Sequence, residues 1–228
     1  MDYLCAYDWQ QAEDCVCLVL KQLEFPGGIS VVFGCMSYNR TFVRLVMDWF
    51  YEKALIMCQR SNGEAEVMEK MLRQELENLG NAIGGTVFWG VGDHFVLGRI
   101  AHRKEEKKIR VGLLNERFGR PHYKELLAPK LEEEQNRIEQ ERTEMDRMKL
   151  EEEIMIVSGR LESEVGILMA TEDFFLNLSM EQIQACLNVK VLNEERKLQK
   201  RLGELAQEVE RKGGKHPAGM LIVTCQQK

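Results

Sequence analysis

The most informative stretch of the chain is Val165-Gly166-Ile167-Leu168-Met169-Ala170-Thr171-Glu172-Asp173. Its apolar run from Gly166 to Ala170 predicts a β-strand. The segments that follow predict a capped helix start at Ser179-Met180-Glu181-Gln182, a helix from Asn193 to Lys212 closed by Gly213-Gly214, and a strand from Met220 to Cys225. The C-terminal part is therefore predicted as a strand, two helices and a last strand.

The preceding part of the chain shows strand patterns and helix patterns, and elements of the same kind follow one another. The predicted elements, in order, are strands at 14–20 and 29–33, a buried helix at 41–59, an amphipathic helix between Asn62-Gly63 and Gly80, a hairpin of strands at 86–91 and 95–101 around Gly92-Asp93-His94, and a strand at 109–114. Because strands and helices are grouped rather than strictly alternating, we expect an α+β protein with antiparallel sheets and helices packed outside them.

The composition limits the class of protein. The 228 residues are 44% hydrophobic and 30% charged, which is typical of a globular protein, and we expect one domain spanning 1–228. The formal charge of -6 argues against a protein that grips nucleic acid phosphates. No apolar run approaches the roughly 20 residues of a membrane helix, and the N-terminus lacks a signal core, so we expect a cytoplasmic protein without a membrane or nucleic acid partner.

A charged segment from Tyr123 to Glu153 interrupts these patterns. Leu131, Ile138 and Met145 recur every seven residues in it, which predicts a helical insert with one narrow apolar seam. The seam could recruit a partner helix, or it could pack on the sheet of its own domain. A set of basic residues upstream of the insert could be a solvated hairpin, could pair with the insert, or could meet an acidic or phosphorylated partner. These residues are Arg99, Arg103, Lys104, Lys107, Lys108 and Arg110.

Several fragments resemble the PPM-type (type 2C) metal-dependent serine/threonine phosphatases. The stretch from Val165 to Asp173 stands where that family has a strand ending in Ser/Thr-Asp-Gly, and residues 214–223 stand where it has Asp-Asn and its last strand. The other matching fragments are Ala12-Glu13-Asp14 for Asn-Glu/Gln-Asp, the run from Val31 to Asn39 for an apolar strand and Asp-Gly-Met-Gly-Gly-His, and Gly84-Gly85-Thr86 for Gly-Thr-Thr. The resemblance implies a four-layer αββα sandwich of two antiparallel sheets flanked by helices.

The resemblance also implies an active site with two Mg²⁺ or Mn²⁺ ions, and several of its positions are changed here. The Asp-Gly that would bridge the metals reads Gly34-Cys35, and Asp-Asn reads His216-Pro217. Glu172 replaces the Asp of Ser/Thr-Asp-Gly, so that only Glu13 and Asp14 match the family directly. Gly92-Asp93-His94 is interpreted as a hairpin loop rather than as the family's Gly-Asp-Ser-Arg, because it begins too soon after Gly85.

Three functional hypotheses follow. The first is a pseudophosphatase with no catalytic residues and no cofactor, which binds a protein partner such as a phosphoprotein or a kinase-pathway component. The second is an active phosphatase with a rebuilt site, in which Glu13, Asp14, Glu172 and His216 hold Mn²⁺ or another divalent ion. In the competing interpretation of those residues, Glu172 caps a helix and His216 is a turn residue. The third is an α+β interaction domain unrelated to phosphatases.

Overall fold

The computed structural model describes residues 2–8, 16–25, 28–61, 64–79, 83–101, 108–117, 120–127, 153–187 and 194–225. Ten strands lie within these residues: β1 Asp2–Asp8, β2 Cys17–Phe25, β3 Ile29–Ser37, β4 Gly85–Val91, β5 His94–Ala101, β6 Ile109–Arg117, β7 Arg120–Glu125, β8 Glu153–Arg160, β9 Gly166–Thr171 and β10 Gly219–Cys225. The helices are α1 Arg40–Trp49, a π-helical turn Phe50–Ala54, α2 Leu55–Ser61, α3 Ala65–Leu79, α4 Glu172–Asn177, α5 Met180–Cys186 and α6 Glu195–Arg211.

The strands form two five-stranded antiparallel sheets. The first has the order β1-β10-β9-β6-β7 and the second the order β2-β3-β4-β5-β8. Apolar side chains from both sheets, including Val32, Phe88, Ile167 and Met220, pack in the space between them. These side chains form the central layer of the core, and their burial holds the two sheets face to face.

Helices cover the outer face of each sheet. The first helices pack on β3, β4 and β5, where Phe33 stacks on Phe50 with ring centroids 4.1 Å apart. Helices α4, α5 and α6 pack on the outer face of the other sheet, around Leu168, Phe174 and Leu202. The predicted αββα sandwich is therefore confirmed. None of the helices in the described ranges combines the length and apolar character that a bilayer crossing requires.

The main departures from the predicted elements are at edge strands. The sequence patterns do not predict strands β1, β7 and β8, and each of these lies at the border of its sheet. The predicted helical insert is wrong at its start, because Tyr123 to Glu125 end strand β7 by pairing with β6. Residues 128–152 of the insert lie outside the described residues, and its last residue, Glu153, begins strand β8. The predicted helix at 41–59 contains the π-helical turn, which places Phe50 and Ala54 in the core.

Candidate functional site

Gly34 lies in β3 on the face directed into the space between the sheets. Its strand neighbours Leu20 of β2 and Phe88 of β4 face the same space. A Cβ atom added at Gly34 would lie 2.5 Å from Sδ of Met220 and 3.6 Å from Cδ1 of Leu20. Met220 belongs to β10 of the opposite sheet and is fully buried. Its thioether therefore occupies the space that a side chain at position 34 would need.

Cys35 points to the opposite face of β3. It is fully buried in the helix-facing core beside Phe33 and Phe42. Burial raises the pKa of its thiol far above the ordinary value, and the nearby Cys17 raises it further. Because a thiol that stays protonated is a poor nucleophile and a poor metal ligand, the geometry gives Cys35 a packing role.

The C-terminal end of β9 meets the N-terminal end of β10. The Thr171 backbone N–H donates to the carbonyl of Ala218 at 2.9 Å, and the Ala218 N–H donates to Thr171 Oγ1 at 3.2 Å. Glu172 directly follows Thr171, and Pro217 directly precedes Ala218. Two of the segments singled out from the sequence therefore lie side by side at this end of the sandwich.

Glu172 is the first residue of α4, with Thr171 as the N-cap residue. A carboxylate in the first turn of a helix interacts favourably with the helix dipole. The pKa of Arg110 is raised mainly by its hydrogen bond to Glu125 and also, more weakly, by Glu172. Glu172 thus lies within electrostatic reach of a guanidinium that already has a carboxylate partner.

His216 lies in the bend between α6 and β10. It is exposed and has a φ angle of 53°, in the left-handed region that non-glycine residues rarely adopt. Gly213 precedes it with a φ angle of 93°. This geometry favours the turn interpretation of His216. The other two residues of the predicted ligand set, Glu13 and Asp14, lie outside the described residues.

Of the predicted basic patch, the structure describes Arg99, Lys108 and Arg110, and these three do not form one surface. Arg99 is only 2% exposed and lies between the sheets, where its guanidinium donates to the Ile109 and Leu127 carbonyls and to Thr86 Oγ1. Arg110 pairs with Glu125 through two hydrogen bonds of 2.9 and 2.6 Å and stacks over the Phe175 ring. Lys108 is exposed, and Arg103, Lys104 and Lys107 lie outside the described residues. The predicted patch is therefore wrong for Arg99, which is an internal cross-link between the sheets.

A cleft of about 390 Å³ opens at the border of the sandwich where β1 and β2 are the terminal strands of their sheets. We call it the β1–β2 cleft. It is lined by Cys5, Tyr7, Leu20, Gln22, Glu195, Arg196 and Gln199. The first turn of α6 forms one wall of the cleft, and the two sheet edges form the others.

The solved structures that resemble this chain include bacterial serine/threonine phosphatases. The catalytic domain of the phosphatase PstP in complex with two manganese ions superposes with a TM-score of 0.58 at 13% identity, over 98% of both chains. The S. agalactiae serine/threonine phosphatase gives a TM-score of 0.60 at 16% identity, over 98% of this chain and 99% of that one. The chain has the fold of these phosphatases.

A third solved structure with this fold is the phosphatase Stp1 from Staphylococcus aureus, with a TM-score of 0.60 at 9% identity over 99% of this chain and 95% of that one. No family model matches the chain, and no curated protein sequence matches it either. At such identities the likeness establishes the phosphatase fold, while activity has to be judged from the residues.

The described residues do not fit a bridged pair of Mg²⁺ or Mn²⁺ ions. These hard cations need carboxylate and carbonyl oxygens, and a thioether is a soft ligand. Here Gly34 offers no side chain and the Met220 sulfur fills the space in front of it. Within the described ranges, no group of three or more His, Cys, Asp or Glu side chains is placed to hold a metal ion.

The sequence patterns did not reveal the roles of two residues in this region. They predict Met220 only as part of a strand, and Arg99 only as a surface cation. The sequence signal for Met220 was Gly34, because a glycine in a buried apolar strand leaves space that a large side chain from elsewhere has to fill. For Arg99 it was the position of the residue inside an otherwise apolar strand, between Gly98 and Ile100.

Proposed function

We propose that this domain is a pseudophosphatase, a PPM-type phosphatase fold that has lost phosphoester hydrolysis and acts as a protein-binding module. The observation that carries the proposal is the contact between Gly34 and Met220. The fold is suited to such a loss because a catalytic site can be lost while the fold that carries it is kept. Packing of Met220 against Gly34 replaces a polar, ion-binding position with apolar contact that contributes to stability.

The proposed partner is a protein of a phosphorylation pathway, either a phosphoprotein or a kinase-pathway component. The support for this class is the fold itself, since the solved structures that share it include serine/threonine phosphatases. We also propose that the domain works in the cytoplasm. The six cysteines in the described residues are all free thiols, which is the state that a reducing compartment maintains.

The test is a titration of the purified, metal-stripped chain with Mn²⁺ and with Mg²⁺. Calorimetry measures the heat of metal binding, and hydrolysis of p-nitrophenyl phosphate measures turnover. We expect neither saturable heat nor turnover. An Asp14→Asn variant, purified in the same way, reports contaminating phosphatase activity. Turnover that saturates with Mn²⁺ and disappears in the Asp14→Asn variant would overturn the proposal.

The second candidate is an active, metal-dependent phosphatase with a rebuilt site. It is favoured by the hydrogen bonds between Thr171 and Ala218, which bring the segments carrying Glu172 and His216 together. In that case His216 supplies an imidazole ligand and Mn²⁺ or Mg²⁺ is the cofactor. In the pseudophosphatase, His216 is a turn residue.

The variant His216→Gly separates these two roles. Glycine tolerates the left-handed conformation and carries no donor atom in its side chain, so it preserves the turn and removes the ligand. If His216 is a turn residue, the Mn²⁺ titration of the variant matches that of the parent chain. Loss of saturable Mn²⁺ heat in the variant, with unchanged thermal stability, would establish His216 as a ligand.

A further inference from the structure

The hairpin between β4 and β5 and the end of β8 carry three polar side chains in a row. Nδ1 of His94 lies 3.0 Å from one oxygen of the Asp93 carboxylate, and Nε2 of His94 accepts a hydrogen bond from Nε of Arg160 at 3.1 Å. Arg160 lies 4.0 Å from the other Asp93 oxygen. Because His94 and Arg160 are directly paired in the register of β5 and β8, their side chains lie on the same face of the sheet.

The protonation state of His94 follows from these partners. A guanidinium group can only donate hydrogen bonds, so Nε2 of His94 has to present a lone pair to Arg160. The imidazole in this geometry is therefore neutral, and its single proton is on Nδ1, beside the Asp93 carboxylate. A second proton, added to Nε2, removes the acceptor and places two cations next to each other.

The neighbouring strands supply no group that would neutralise this additional charge. Strand β4 contains no charged residue. Tyr3 of β1 donates its hydroxyl hydrogen to the Gly92 carbonyl at 2.7 Å. Burial, and more weakly Cys5 and Asp93, raise the pKa of the Tyr3 hydroxyl, so it stays neutral.

Helix α3 and the turn after β8 carry the other nearby charges. The Glu69 carboxylate of α3 accepts from the Ser158 hydroxyl at 2.7 Å and lies 3.5 Å from Arg73. Glu162 and Glu164 follow β8 in the turn before β9. Among the described residues, Asp93 is the only carboxylate in ion-pair contact with His94 or Arg160.

The row of side chains lies where β8 leaves its sheet. β8 is a border strand, and β5 is its one neighbour among the described strands. Directly after β8, the Leu161 N–H donates to the Asp93 carbonyl at 2.7 Å. The Arg160 side chain and this backbone hydrogen bond therefore attach the same short stretch of chain to the hairpin.

We propose that Asp93, His94 and Arg160 form a pH-sensitive latch, which holds the end of β8 on the β4–β5 hairpin while His94 is neutral and releases it when His94 is protonated. Histidine is the side chain whose charge ordinarily changes between pH 5 and 8. The latch is thus closed at pH 8 and opens as the pH falls. The hydrogen bond between Ser158 and Glu69 keeps the preceding part of β8 on α3, so the opening is confined to Arg160 and Leu161.

The first test is amide hydrogen exchange followed by NMR. The protection factor of the Leu161 N–H should fall by about three- to tenfold between pH 8 and pH 5, a modest change because the Arg160 side chain is 74% exposed. His94→Gln is the matched control, since a glutamine oxygen accepts from Arg160 and does not titrate. In this variant the fall should be absent. No fall in the parent chain, or an equal fall in His94→Gln, would overturn the proposal.

The second test locates the proton directly. Nitrogen-15 NMR of the His94 imidazole at pH 8 should show the proton on Nδ1, with Nε2 unprotonated. Arg160→Met removes the donor, so the Leu161 N–H of that variant should be as weakly protected at pH 8 as the parent is at pH 5. A proton on Nε2 at pH 8, or full protection of Leu161 in Arg160→Met, would contradict the latch. These outcomes are independent of phosphatase activity and of metal binding, so they leave the proposed function to its own test.

Discussion

At the residue scale, Gly34 and Met220 form a complementary small and large pair across the two sheets. The pair joins β3 of one sheet to β10 of the other at the position where the phosphatase resemblance implies a bridging carboxylate. Since protein interiors are close-packed, the space in front of Gly34 holds either a side chain from position 34 or the Met220 thioether. The structure shows the thioether there.

A double-mutant cycle tests this pair. Gly34→Ala alone should lower the free energy of unfolding by about 1–3 kcal/mol, because its Cβ crowds the Met220 sulfur. Met220→Ala alone should cost about 2–5 kcal/mol through the cavity that it leaves. In the double variant the alanine at 34 fits that cavity, so urea unfolding should show a cost below the sum by about 1 kcal/mol or more.

Gly203 provides the matched control for the glycine substitution. It lies in α6, and a Cβ atom added to it would meet open space. Gly203→Ala should therefore stabilise the protein by about 0.5–1 kcal/mol through helix propensity. Strict additivity of Gly34→Ala and Met220→Ala would contradict the packing interpretation.

Arg99 is the second decisive residue at this scale. It bridges the sheets by donating from β5 to the Ile109 carbonyl of β6 and to the Leu127 carbonyl. Arg99→Met should lower the free energy of unfolding by about 3 kcal/mol or more, because these buried acceptors lose their donor. Lys200→Met, at a side chain 76% exposed on α6, should change it by less than about 0.5 kcal/mol. Chemical denaturation measures both, and a loss below about 1 kcal/mol for Arg99→Met would contradict the cross-link.

At the element scale, short helices depend on their caps. Helix α5 has seven residues and begins with a complete capping box. The Ser179 hydroxyl accepts from the Gln182 N–H at 3.2 Å, and the Gln182 side chain accepts from the Ser179 N–H at 3.0 Å. These bonds satisfy backbone donors that a helix leaves unpaired at its start. The predicted capped start at Ser179 is confirmed.

Removal of this cap should be measurable. Ser179→Ala should lower the free energy of unfolding by about 1 kcal/mol, since the hydroxyl that accepts from Gln182 is lost. Ser179→Asp keeps an acceptor at the N-cap and should retain most of the stability. Thermal and urea unfolding of the three proteins test the effect. If the Asp variant loses as much stability as the Ala variant, the cap is not the cause.

At the scale of the whole molecule, the two sheets close on an apolar interior with Arg99 as a polar cross-link. A phosphatase fold stabilised by bound cations would gain stability on metal addition, because any ligand that binds only the folded state shifts unfolding. The packing of Met220 against Gly34 leads us to expect no such gain.

We therefore expect the same melting temperature, within about 1 °C, in EDTA and in millimolar MnCl₂. Differential scanning calorimetry of the intact chain measures it, with MgCl₂ as a second condition. A rise of several degrees that saturates with Mn²⁺, and that is absent in the Asp14→Asn variant, would show a specific metal site and contradict the expectation.

The amino-acid sequence by itself determined the central strands and the principal helices. Runs such as Gly166 to Ala170 and the hairpin around Gly92-Asp93-His94 are predictable because they are buried on both faces or joined by a short turn. The phosphatase-like motifs added the order of layers. The changes at Gly34 and His216 were visible as missing carboxylates, because each of these residues stands where the resemblance implies an aspartate.

Only the tertiary structure decided what replaces the missing carboxylate and where the edges lie. Met220 and Gly34 stand near opposite ends of the chain, and their contact exists only because β3 and β10 face each other. Strands β1 and β8 have one neighbour each among the described strands, so their patterns are weak and their pairing decides their structure. The same holds for Arg99, since a lone cation in a strand becomes an internal cross-link only when the opposite sheet supplies its acceptors.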